Sequence, residues 1–195
     1  MNPVTLVVTL SNFLVFADAS SYSTSMTITS LTASKYLAVY YISANPGSDS
    51  TAVTSVVIDA VTNADHALVA KFFGAKSIFA GTLPTGVIRA TALDANNVVV
   101  AYSDTKANNG ITCVALSVNS YTGTVIYGSV LSVTYGGFTA DNVPYNPTGE
   151  LDINLVTTKA GSQFMLMFSD LSINGALVTV VGQVRATHDM IRPTT

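Results

Sequence analysis

Three aspartates recur at one place in a repeated phrase, and they are the first residues of this chain that could do chemistry together. Asp18 closes Phe13-Leu14-Val15-Phe16-Ala17-Asp18, Asp104 closes Val99-Val100-Ala101-Tyr102-Ser103-Asp104, and Asp170 closes Met165-Leu166-Met167-Phe168-Ser169-Asp170. If the repeats lie side by side, their carboxylates share one rim and could ligate a cation or a sugar. The same carboxylates could instead accept N–H bonds from the turn behind each strand. The second role needs only local geometry. The sequence therefore predicts structural aspartates at 18, 104 and 170, with Gly110 and Gly175 in the hairpin turns that follow the last two.

Other candidates are sparse. His66 lies beside Asp65, and His188 beside Asp189. Adjacent residues on a strand point to opposite faces, so neither pair is preorganised, and both histidines read as exposed loop residues. Asp141-Asn142 and Glu150-Leu151-Asp152 flank Pro144-Tyr145-Asn146-Pro147-Thr148-Gly149 and read as a solvated loop with proline turns. Cys113 is the single cysteine, in Ile111-Thr112-Cys113-Val114-Ala115-Leu116. It reads as a small buried apolar residue rather than a nucleophile. There is no G-x-S-x-G elbow, Walker A loop, H-E-x-x-H or C-x-x-C. No catalytic residue, metal or cofactor is expected. Tyr121, Tyr127, Tyr135, Phe138 and Tyr145 crowd one connection and suit either inter-sheet packing or contact with a sugar or protein.

Composition narrows the class. The 195 residues suffice for one domain with a core, and 49% are apolar while only 10% are charged. Serine, threonine, asparagine and glycine supply the polarity, as in secreted and virion proteins. The net charge is −3 and no basic run exists, which argues against nucleic acid or an anionic membrane as partner. No apolar run approaches the ~20 residues of a spanning helix. Val4–Ala19 reads as a strand pair; the rival is a cleaved leader ending in Ala17-Asp18-Ala19.

These residues must be positioned by strands. Short apolar runs rich in Val, Thr, Ile, Tyr and Phe alternate with Gly, Asn, Asp, Ser and Pro. First strands are expected at Val4–Leu10, Thr27–Leu31, Val87–Leu93 and Asp152–Val156. Each is followed by a polar turn and then by the motif strand, degraded around Tyr40, where Ile42 replaces the aspartate. Third strands are expected at Ile111–Val118 and Ala176–Val184, and fourth strands at Thr124–Val133 and Ser77–Leu83. A helix over Ala60–Phe73 is the weaker alternative to a turn at Asn63-Ala64-Asp65.

The motif aromatics Tyr40 and Tyr102 are 62 residues apart, Tyr102 and Phe168 are 66 apart, but Phe16 and Tyr40 only 24. The period predicts four-stranded antiparallel units at about 1–26 (truncated), 27–86, 87–151 and 152–195 (partial). Val98–Asp104, Asn109-Gly110 and Thr122-Gly123-Thr124-Val125-Ile126-Tyr127-Gly128 resemble the blade repeats of β-propeller proteins: a "VVaYsD" strand, an "nG" turn and a "tG…I..G" segment. The resemblance implies a fold and no activity. The expectation is an all-β partial propeller, with a β-sandwich as alternative. Its expected work is non-enzymatic binding or scaffolding, extracellular or at the cell surface. Partners would be copies of itself, further blades, a protein or a carbohydrate. The rivals are a structural virion or surface-fibre protein, and an enzyme using carboxylates such as Asp104 and Asp170, which the dearth of acid–base residues disfavours. If the aspartates are structural, Asp104→Asn retains the fold, whereas Asp104→Leu loses about 1–2 kcal/mol in urea denaturation through unsatisfied turn donors.

Overall fold

The computed structural model describes residues 22–43, 52–62, 64, 68–79, 84–104, 110–135, 138–139, 154–158, 162–170 and 176–185. They form strands and turns and contain no helix. The first sheet is the meander β1 (Tyr22–Ser30), β2 (Lys35–Ser43), β3 (Ala52–Thr62), β4 (Leu68–Phe79). The second is β5 (Pro84–Ala92), β6 (Asn97–Asp104), β7 (Gly110–Asn119), β8 (Thr124–Ser132). A two-stranded ribbon of β9 (Thr134–Tyr135) and β10 (Phe138–Thr139) follows. The third sheet is β11 (Asn154–Thr157), β12 (Gln163–Asp170), β13 (Ala176–Gln183). All pairings within these sheets are antiparallel. The chain is thus all-β and built from antiparallel sheets of three and four strands.

Most expected strands fall near their observed ones, with two corrections. The fourth strand of the first sheet is Leu68–Phe79, not Ser77–Leu83. Its first strand starts at Tyr22, five residues ahead of the expected Thr27. Ser23-Thr24-Ser25 leaves the start of the first without an apolar pattern, Lys71, Gly74 and Lys76 break the alternation of the second, and pairing with β2 and β3 holds them extended. The rejected helix over Ala60–Phe73 is instead the end of β3, the connection and the start of β4.

The repeat is visible atom by atom in the turn between first and second strands. Leu31 N–H donates to Lys35 O (2.8 Å), Leu93 N–H to Asn97 O (2.8 Å), and Thr158 N–H to Gln163 O (3.0 Å). Thr32 Oγ1 accepts from Lys35 N–H (3.1 Å) where Asp94 Oδ1 accepts from Asn97 N–H (2.8 Å). Hydroxyl and carboxylate do the same job, because either can receive the N–H groups that a tight turn turns away from the ladder.

Strand periodicity gives each sheet two faces, and the sheets stack in series. Leu37, Val39 and Tyr41 of β2 meet Val98, Val100 and Tyr102 of β6 in one core. The opposite face of β6, carrying Val99 and Ala101, meets Phe164, Leu166 and Phe168 of β12 in a second core. The other face of the first sheet, with Ala38, Tyr40, Val56 and Ile58, is also buried. The motif aromatic therefore has one role in each unit. Tyr40, Tyr102 and Phe168 are each 0% exposed and point toward the preceding side of the stack.

Between the first two sheets the contact is also polar. Ile88 N–H and Ala92 N–H on the edge of β5 donate to Ser25 Oγ (3.1 Å) and Thr29 Oγ1 (3.0 Å) of β1. The hydroxyl-rich face of β1 thus satisfies edge donors that would otherwise need water or another strand. At the outer edge, Gly123 (φ 73°) approaches Gly74 (φ 83°). A Cβ on Gly123 would overlap the Phe73 carbonyl, so this contact between the β7–β8 turn and β4 requires glycine on both conformational and steric grounds. Lys35 ties the remaining rim, 3.4 Å from Asp59 and 3.6 Å above the Phe73 ring.

Removing an inter-sheet aromatic should be costly. Tyr102→Ala and Phe168→Ala are expected to lose about 3–5 kcal/mol each in urea melts, while Tyr121→Ala, at a side chain 90% exposed, should stay within about 0.5 kcal/mol.

Candidate functional site

Two adjoining cavities, of about 430 and 290 Å³, open between the second and third sheets and share Ala115, Gly128, Val184 and Arg185. Their second-sheet side is the forward face of β7 and β8 together with the β5–β6 turn. Their third-sheet side is Ser162, Phe164, the end of β13 at Gly182 and Gln183, and Val184 and Arg185 just beyond it. The size is that of a small-ligand site, and the opening is a cleft rather than an enclosed chamber.

Both lips are held by local bonds. Asp94 Oδ1 accepts from Asn96 N–H (2.7 Å) and Asn97 N–H (2.8 Å), and the Asn97 side-chain amide donates to Asp94 Oδ2 (2.9 Å). Partial burial pushes the Asp94 carboxyl up, but the Asn97 amide and the backbone N–H groups of Asn96 and Asn97 together hold it below the ordinary carboxylate range. On the opposite lip Val184 N–H donates to Ser162 O (2.9 Å), and Arg185 Nε donates to Gln183 Oε1 (3.1 Å). Gly182 lies under Phe164, whose ring occupies the space of any Cβ there, so the strand end sits close against the core.

Cys113 lines the smaller cavity, but burial pushes its thiol from 9.0 up to about 12, leaving no thiolate at neutral pH. Asp94 and Arg185 are the charged lining residues, and Asp94 is occupied by its own turn. Among the described residues no group of three or more His, Cys, Asp or Glu could hold a metal ion.

Of the other residues singled out in the sequence, Tyr127 lines the larger cavity, and Asp104 lines neither. Asp104 ends β6, 3% exposed, paired with Gly110, which is the first residue of β7 rather than a turn residue. Asp170 is paired in the same way with Ala176. The two hairpins are therefore equivalent, each with five residues between the closing pair. Strand parity puts Asp104 with Val98, Val100 and Tyr102 toward the first sheet, away from the cleft. Asp18, Gly175, His66, His188, Asp141, Glu150 and Asp152 lie outside the described residues. Tyr121 is exposed at the tip of the β7–β8 turn.

Tyr127 belongs to the buried set. Its hydroxyl donates to Ser55 Oγ (2.7 Å) and lies 3.3 Å from Ser77 O, and its ring stacks on Phe79 with centroids 4.9 Å apart. It pins the first two sheets together and is not a surface ligand. Nothing in composition separates Tyr127 from Tyr121; the four-residue turn between β7 and β8 decides it.

Comparison with protein-family models, with curated proteins and with solved structures finds no match to this chain. The cleft must be read from its own chemistry.

Alkaline pH should loosen the stack. Burial pushes the Tyr127 hydroxyl from 10.0 up to about 12, aided by the Tyr40 charge and opposed by the Ser55 bond, alongside the shift at Cys113. The unfolded chain releases both protons at lower pH than the folded one, so stability is full below about pH 9 and falls from there to about pH 12. Urea midpoints across this range check it, and Cys113→Ala should make the fall shallower.

Proposed function

We propose that the chain is a non-enzymatic binding or scaffold module of β-propeller type, an open arc of stacked blades working outside the cell or at its surface. The observation that carries the reading is the burial of the middle sheet on both faces: β6 is buried continuously from Val98 to Asp104. A two-layer sandwich buries one face of each sheet and gives alternating exposure. A stack in which each sheet's forward face meets the next sheet's backward face gives continuous burial. The low charge and hydroxyl-rich composition suit an extracellular setting.

An arc needs a neighbour at its end. Val156, Met165 and Val181 lie in register across the third sheet and are 54%, 39% and 61% exposed. One period earlier, the matching β6 positions Val99 and Ala101 are buried against a following sheet. The end face thus has the chemistry of a blade interface without its blade, and a further blade or another copy of the chain is the partner it fits. Light scattering on the purified chain tests this. Species of two or more chains are expected, reduced to 20.3 kDa monomers by combining Met165→Glu with Val181→Glu. A dispersed wild-type monomer at micromolar concentration would instead favour the closed sandwich.

A further inference from the structure

We propose that the interface between the first and second sheets contains a site for one buried water, bound between the hydroxyls of Tyr102 and Thr112. The site lies on the backward face of the second sheet, away from the cleft, and does not depend on what the module binds.

Thr112 points to it first. It is 0% exposed, and its hydroxyl has no hydrogen-bond partner within the chain. A buried hydroxyl left so is costly, and in native structures such a group is commonly satisfied by an ordered water. The strand ladder sets Thr112 directly opposite Tyr102 on β6 and Ser132 on β8. Opposed residues of antiparallel strands share a face, and this is the face on which Val100, Tyr102 and Val114 pack toward the first sheet. Three hydroxyls therefore run in one row, from the fully buried Tyr102 and Thr112 to Ser132 at the outer strand. Asp104, 3% exposed, stands two residues beyond Tyr102 on the same face. This end of an otherwise apolar interface has the polar groups that a buried water needs. A tyrosine hydroxyl has one donor and two acceptor sites, so Tyr102 can serve a water beside any other bond it makes.

The internal repeat supplies independent support. In the first unit the motif aromatic Tyr40 is opposed by Thr54, in the second Tyr102 by Thr112, and in the third Phe168 by Val178. Phenylalanine is tyrosine without its hydroxyl, and valine is threonine with a methyl in place of its hydroxyl. Position, face and side-chain shape are kept in all three pairs. Both hydroxyls are present in two units and both are absent in the third. That is the behaviour of two groups sharing one hydrogen-bonded molecule, because either hydroxyl alone leaves a buried polar group short of a partner. Phe168 packs with Val99 and Ala101, and Val178 lies against the same core. The junction of the second and third sheets is thus dry at the position where that of the first and second is wet.

Isosteric substitutions in the full chain test the site. Thr112→Val and Tyr102→Phe should each lower the urea midpoint. The double variant, which installs the pair found in the third unit, should fall by clearly less than the sum of the two single losses. Oxygen-17 relaxation dispersion of the solvent should count one long-lived water fewer in the double variant than in the wild type. A rise in the midpoint of Thr112→Val overturns the proposal, because the hydroxyl would then be buried dry and its removal a relief. Strictly additive losses overturn it as well, and so does an unchanged count of long-lived waters.

Discussion

The structure depends on one constraint: a sheet with neighbours on both sides must be apolar on both faces. In the second sheet this requires Val98, Val99, Val100, Ala101 and Tyr102 to be apolar without alternation, and they are. Such continuous runs usually mark parallel strands covered by helices. Here the strands are antiparallel and the covering layers are other sheets. The aromatic in each run then acts as a wedge of fixed polarity. Tyr40, Tyr102 and Phe168 all turn toward the preceding side, so the described sheets stack in the same sense.

The side-chain hydroxyls follow from the same constraint. A stack of sheets leaves part-buried edges and rims where backbone N–H groups and side-chain hydroxyls need partners outside the strand ladders. Ser25 and Thr29 accept from the edge of β5, Ser55 accepts from Tyr127, and Thr32 accepts from its own turn. Each is a short, neutral acceptor that can be buried at much smaller desolvation cost than a carboxylate. Part of the chain's hydroxyl content thus serves its architecture.

This explains what could be read in the sequence and what could not. The repeat, the strand class and the second and third strands were legible because motif aromatics and tight turns fix them locally. Leu93-Asp94-Ala95-Asn96 and Leu31-Thr32-Ala33-Ser34 differ in composition yet close the same turn with the same bonds. The outer strand β4 was misplaced because its residues are set by pairing with β3 and by the approach of Gly74 to Gly123, a contact made 49 positions along the chain. Tyr127 was grouped with exposed tyrosines because its partners Ser55, Ser77 and Phe79 come from another sheet. The cleft was the least legible. It lies where the second sheet meets the third, and no residue type marks it.

A cleft made this way differs from one carved by special side chains. Its walls are ordinary core and strand surface, with Cys113 and Phe164 at the floor and Ile126 and Leu131 at the mouth. The repeat aspartate Asp104 is spent on the opposite face, so the feature most suggestive of chemistry in the sequence is remote from the feature most suggestive of binding in the fold. Both follow from the repeat. What is repeated in every unit serves the stack, because every unit must pack. What varies between units, such as the exposed Ile126 and Leu131 beside the cleft, is free to serve something else.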